Sequence, residues 1–106
     1  MRRGPEFPEL DPLICDRVRL GIVSALATNK SLSFNDSKRL KTTGRNLIVH
    51  ARKLEDARYI TSNKFFDGRI SRTNFRLTAS GRKALDSYLS EMEVVIRYTR
   101  EDQKHR

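Results

Sequence analysis

The sequence predicts a mainly α-helical domain carrying one β-hairpin, in the order α-α-α-β-β-α. Three observations predict it. Apolar residues recur at helical spacing in four stretches, the third of which follows the second after a very short turn. Two β-type runs flank an Asp-Gly pair between the third and fourth of them. The chain has 106 residues, 37% hydrophobic and 33% charged, which suits one compact domain able to bury a modest core without disulfides.

The first helix is expected to open at Asp11 and Pro12, since Asp is a good N-cap and Pro is favoured at the first helical position. Ile14, Val18, Ile22, Ala25 and Leu26 then recur on one face, and Asn29 and Lys30 end the helix. Residues 31–33 are long enough only for a single extended bridge. A second helix of two to three turns starts at Ser33, with Asp36 at the capping-box position and Phe34, Ser37 and Leu40 on one side. After the turn TTG, Thr43 caps a third helix to about Ala57. Helix, short turn, helix is the helix-turn-helix arrangement, with the later helix as reader. The runs YITSNKFF and ISRTNFRLT, joined through DGR, form the hairpin and bury Ile60, Phe75 and Leu77. Phe65 and Phe66 cannot share a face; one is expected under the hairpin and the other exposed or covered by a partner. Thr78 or Ser80 caps a last helix to about Thr99. A hairpin appended to a helix-turn-helix is a winged helix. Residues 1–9 read as a flexible tail, whose GPEF resembles a cloning scar as much as a natural end. Residues 10–100 form the domain and residues 101–106 a frayed polar tail.

The third helix raises a question. Each residue turns the chain by about 100°. With Leu47 as reference, Ala51 and Leu54 share its direction and form the buried stripe. Arg45, Asn46, Ile48, Val49, Arg52 and Lys53 then look outward, so an apolar pair sits within a basic face. A helix in the major groove explains the mixture. Arg can bond guanine, Asn can bond adenine, and an apolar group can touch the thymine methyl. Residues near the helix N-terminus reach base edges, while those further along hold phosphates. Arg45, Asn46, Ile48 and Val49 are therefore the candidate base contacts. Thr43, Arg52 and Lys53 are candidate backbone contacts. His50, at the border of the buried stripe, is expected half-buried and bonded to a backbone or phosphate oxygen.

The hairpin adds Lys64, Arg69 and Arg72 as wing contacts to the backbone or minor groove, with Arg76 also able to face phosphates. Charges there would equally discourage edge-to-edge sheet pairing. The last helix is too long to serve only a three-helix core. Its stripe of Leu85, Tyr88, Leu89, Met92, Val95 and Ile96 is a candidate dimer seam, and a fold back onto the first helix is the competing arrangement.

Charge distribution supports a polyanion. The net charge is +9, of which residues 44–83 carry +7 from 10 basic and 3 acidic side chains. No run of about 20 apolar residues could span a bilayer, so a membrane partner is not expected. A lone Cys15 precludes an internal disulfide, points to a cytoplasmic setting, and is expected to be a buried or half-buried packing residue. No metal-ligand spacing, paired carboxylates, nucleophile-base set or phosphate loop is present, so no metal, cofactor or enzymatic activity is expected.

The segments LDPLICDRVRLGIVSAL, LSFNDSKRL, TTGRNLIVHARKLEDARYI and FFDGRISRTNFRLTASGRKAL resemble small winged-helix transcriptional regulators related to the MarR and ArsR proteins. The resemblance covers roughly residues 10–90. It implies DNA binding as a homodimer, with Arg45, Asn46, Ile48, Val49 and His50 near bases and the wing arginines at the backbone or minor groove. Two residues depart from the pattern. Lys41 replaces a glycine often found after the second helix, and Arg58 stands where a glycine usually precedes the aromatic residue. The Cys and His pairs of metal-sensing relatives are missing, and the domain is short for a separate effector pocket. The reading is a dimeric DNA-binding regulator. The alternative is a winged-helix protein-interaction module docking through Ile48, Val49 and Phe66.

Overall fold

The computed structural model describes residues 7–29, 32 and 38–104. Their order is α1 (Arg17–Asn29), α2 (Gly44–Asp56), β1 (Ile60–Asp67), β2 (Ile70–Leu77) and α3 (Ala79–Lys104). The expected second helix, with its Ser33 cap and Asp36, lies mainly outside the described residues; Lys38 and Arg39 are helical. The reader helix of the sequence reading is α2. Of the bridge expected at residues 31–33, only Leu32 is described. It has no regular structure, and its side chain is buried in the core.

The first helix begins five residues later than its Pro signal suggests. Asp11 does start a turn: its carboxylate accepts from the Leu13 N–H and its carbonyl from the Cys15 N–H. The turn breaks at Ile14 to Asp16, and Asp16 becomes the effective N-cap, its Oδ1 accepting from the Val18 and Arg19 N–H groups at 2.9 and 3.0 Å. Val18, Ile22, Val23 and Leu26 then bury one face of α1, while Ala25 is only half-buried. Thr43 caps α2 as expected, accepting from the Asn46 N–H at 3.0 Å, and the stripe Leu47, Ala51 and Leu54 is buried. These residues join Leu32, Ile60 and Leu85 in one core, with Phe75 and Leu77 half-buried against it.

Arg58 shapes the corner between α2 and the hairpin. The Tyr59 N–H bonds the Leu54 carbonyl and the Arg58 N–H bonds the Glu55 carbonyl, a Schellman pair that needs a left-handed residue between helix and strand. That residue is Arg58, at φ 65°. The other described non-glycine with positive φ is Lys41, at 53°. Both positions where the chain lacks an expected glycine thus adopt the conformation glycine would favour.

The hairpin pairs Ile60 with Leu77 through to Asp67 with Ile70. Its connection is Gly68 and Arg69, so Asp67 belongs to the strand instead of the turn. Gly68 has φ 67° and Arg69 has no positive φ, the pattern of a II′ turn with glycine first. Thr78 locks the hairpin exit. Its hydroxyl accepts from the Gly81 N–H at 2.9 Å to cap α3 and lies 2.7 Å from the Arg58 carbonyl, to which it donates. The Tyr59 hydroxyl donates to Asp11, which ties the N-terminal segment to the same corner.

The last helix runs to Lys104, beyond the expected end near Thr99. The sequence past Thr99 holds no glycine or proline, and its Glu, Gln and Lys are good helix formers, so polarity alone does not fray it. Its 26 residues span about 39 Å at ~1.5 Å each.

Candidate nucleic-acid interface

The outward side of α2 carries Arg45, Asn46, Ile48, Val49, Arg52 and Lys53, all exposed, with Ile48 at 54% and Val49 at 47%. The apolar pair therefore remains uncovered by the chain's own packing. Asn46 donates from Nδ2 to the Thr42 hydroxyl at 2.6 Å, which orients its amide at the start of the helix. Thr43 stands exposed beside it while serving as the cap.

His50 does not join that face. Its ring turns onto α1, with a side chain 14% exposed and Nδ1 2.9 Å from Arg19 Nη1. Arg can only donate, so Nδ1 accepts and the ring proton resides on Nε2. Asp16 Oδ1 is 3.9 Å from the same nitrogen. The Asp16 carboxyl is held below its ordinary 3.8 by the Arg19 backbone N–H, with the Arg19 charge and the Val18 backbone N–H adding to it. The expected partner was a backbone or phosphate oxygen; the structure gives an arginine on the first helix.

The hairpin stands beside α2, and an open groove of about 750 Å³ lies between them. Arg45, Ile48 and Arg52 line it from the helix, and Lys64, Phe65 and Arg72 line it from the hairpin. Arg45, Ile48 and Arg52 of the expected helix face thus share one concave surface with Lys64 and Arg72 of the wing, while Asn46, Val49, Lys53 and Arg69 are not part of its lining. Arg69 is exposed at the turn. Arg72 is engaged already: its Nε donates to Asp67 Oδ2 at 3.1 Å across the hairpin end. Phe65 and Phe66 are both exposed, at 42% and 77%, where one was expected to pack beneath the wing. The reason is reach: inward burial along β1 is confined to Ile60, so the outer half of the hairpin has no core below it.

A basic patch that the sequence reading did not assemble lies at the start of α2. Lys38, Lys41, Thr42, Thr43 and Asn46 surround a shallow depression with Arg17. Arg17 reaches it from α1 by donating to the Leu40 and Lys41 carbonyls, a long-range contact that no local spacing signals.

Along α3 the candidate dimer seam divides. Leu85 and Tyr88 are 3% and 4% exposed, and Leu85 belongs to the core of its own chain. They are corrected from seam to core: the first three turns of α3 pack against the domain's own α1 and hairpin corner, so these positions are already used. Burial, followed by a hydrogen bond with Cys15, pushes the Tyr88 hydroxyl above its ordinary pKa. Cys15 itself is exposed, where a buried or half-buried packing residue was expected. Further along, Met92 and Val95 are half-buried, and Leu89 and Ile96 are 46% and 44% exposed.

Among the described residues no cluster of His, Cys, Asp and Glu could hold a metal ion. None of their helices is long and apolar enough to cross a membrane.

Comparison with known proteins places this geometry. Residues 18–96 match the family described as winged helix DNA-binding domain. No curated protein sequence matches the chain significantly. Among solved structures, a transcriptional regulator homologue from Pyrococcus horikoshii superposes with TM-score 0.71 at 30% identity, covering 80% of this chain and 85% of the other. A mutant of MepR from S. aureus gives TM-score 0.58 at 25% identity, over 87% of this chain and 72% of that one. A second MepR mutant, from a multidrug resistant clinical isolate, gives 0.60 at 23% identity over 85% and 66%, a likeness of fold.

Proposed function

This chain belongs to the winged helix DNA-binding domain family and is a non-enzymatic, DNA-binding regulator of transcription, and from that premise we propose that it binds duplex DNA as a homodimer, α2 in the major groove and the hairpin on the backbone or minor groove. The observation that carries the proposal is the uncovered outer face of α2. Four of its six outward side chains are cationic or amide-bearing, from Arg45 and Asn46 in the first turn to Lys53 in the last, and two are apolar. Arg45 and Asn46 suit base edges at the helix N-terminus, and Ile48 and Val49 suit thymine methyls. Thr43, Arg52, Lys53, Lys64, Arg69 and Arg72 suit phosphates. His50, whose ring packs on α1 beside Arg19, is left out of this contact set.

The dimer reading rests on α3. Leu89, Met92, Val95 and Ile96 continue the buried stripe beyond the chain's own core, on a helix long enough to reach a second copy. A twofold pair would present two reader helices to two half-sites. The competing reading, a protein-docking module, draws on the same exposed Ile48, Val49 and Phe66.

Selection of bound sequences from random duplex, followed by titration over a salt series, tests the proposal. An inverted repeat and an affinity falling steeply with salt are expected. Arg45→Ala should relax sequence preference, whereas Lys53→Ala should lower affinity for all sequences and flatten the salt slope. A salt-independent association, or an Arg45→Ala variant with unchanged affinity and preference, would refute the assignment of α2.

A further inference from the structure

We propose that Phe66 is a wedge that enters the minor groove and kinks the duplex, so that the wing reads deformability as well as charge. The inference rests on the DNA-binding reading above. Phe66 is the most exposed large apolar side chain among the described residues, at 77%. Neighbours in a strand alternate faces and cross-strand partners share one. The register Ile60–Leu77, Ser62–Phe75, Lys64–Thr73 and Phe66–Ser71 therefore puts Phe66 on the inward side of the hairpin. Ile60 is buried on that side and Phe75 and Leu77 half-buried; the groove beside α2 takes residues of both faces, Lys64, Ser71 and Thr73 from this one and Phe65 and Arg72 from the other. Phe66 lies one step beyond Lys64 on that face, 77% exposed, with no described residue burying it.

Charge selects the occupant. Lys64 precedes Phe66 by two residues and Arg69 follows by three, both exposed. The nearby acid, Asp67, is bonded to Arg72. An apolar ring framed by cations beside a reader helix complements a polyanion with stacked apolar interiors, which is what a base step offers. The two-residue turn keeps the tip narrow. Proteins that deform DNA from the minor groove insert such apolar side chains and kink the duplex by about 20–90°. Flexible pyrimidine–purine steps would be favoured at that position, apart from the base contacts of α2.

The test uses the duplex recovered by selection, end-labelled with a donor and acceptor fluorophore, and the full chain with Phe66→Ala, Phe66→Leu or Arg69→Ala. Wild type should shorten the end-to-end distance. Phe66→Ala should abolish that bend and weaken binding on the order of 10-fold, with an unchanged salt slope, since no phosphate contact is lost. Phe66→Leu should retain most of the bend, and Arg69→Ala should instead flatten the slope. Equal melting temperatures would exclude loss of fold. A Phe66→Ala variant that bends and binds like wild type overturns the wedge alone. So does one that changes only sedimentation mass, which would make Phe66 a contact between copies. A wild-type chain that never associates with duplex overturns the DNA-binding reading, and the wedge with it.

Discussion

Replacing Gly81 with alanine sets two physical effects against each other. Helix propensity alone favours alanine inside a helix by about 1 kcal/mol. The structure predicts the opposite sign. A Cβ at residue 81 would lie 2.1 Å from the Tyr59 carbonyl oxygen and 2.7 Å from Leu77 Cδ1. A carbon needs about 3.3 Å from a carbonyl oxygen, so the start of α3 and the Tyr59 corner must part by roughly 1 Å. Neither is free to move. The Thr78 N–H bonds that same carbonyl at 3.0 Å, and the Thr78 hydroxyl caps Gly81 at 2.9 Å. Overpacking of this kind costs about 1–3 kcal/mol, and weakening the cap costs about 1 more. Less the propensity gain, Gly81→Ala should destabilise by about 2 kcal/mol. For a domain of this size that corresponds to a fall in Tm of roughly 8–16 °C. Urea unfolding followed by circular dichroism would show a lower midpoint at unchanged slope. A midpoint equal to or above wild type would mean that α3 does not approach Tyr59 as described, and the wing would lose its anchor.

The remaining expectations address the other strained or charged positions. Arg58→Gly should stabilise by about 0.5–1 kcal/mol, because the left-handed cost of arginine exceeds the extra chain entropy of glycine; a lower thermal midpoint would contradict the Schellman corner. Asp16→Ala should cost about 1 kcal/mol at neutral pH through the lost cap of α1. Since the Asp16 carboxyl is depressed below 3.8 when folded, its contribution is present above that value and lost as pH falls through the lower folded one. The gap between wild type and variant should therefore narrow in acid, and a gap that widened there would refute the assignment. Asp67→Asn should free Arg72 and remove a charge facing phosphates, raising duplex affinity a few-fold at low salt; unchanged binding would remove Arg72 from the contact surface. Ile96→Asp should shift the sedimentation mass from about 25 kDa toward the 12.3 kDa chain, and a wild-type monomer at high concentration would end the dimer reading.

What could be read in advance follows the range of the forces involved. The buried stripe Leu47, Ala51 and Leu54 and the cap Thr43 are local periodicity and local hydrogen bonding, and both stand as the residue spacing predicts. The strained corners were legible as well, since a missing glycine at Lys41 and Arg58 marks a backbone conformation and not a contact. The start of α1 was not. Asp11 and Asp16 are both competent caps, and the choice between them depends on Tyr59, 48 residues away, and on Arg19 and His50. His50 is half-buried as its border position predicts, but its partner was not legible for the same reason: only the presence of α1 decides which way the ring turns.

The last helix carries the same argument to function. Periodicity assigns Leu85, Tyr88, Leu89, Met92, Val95 and Ile96 to one broad face but cannot say where the domain's own core ends. The structure places that limit near Tyr88, after which burial falls from complete to partial. A stripe that keeps its helical repeat after its own core has run out retains apolar area with no internal partner. Leu89 and Ile96, nearly half-exposed and seven residues apart, lie on the same side of α3 two turns from each other. That repeat is what a second helix of the same kind can cover, and it begins where the contacts that orient α2 and the wing leave off. Pairing through it would fix the separation of two reader helices without disturbing either DNA-facing surface, so dimerisation and base reading should respond independently to substitution.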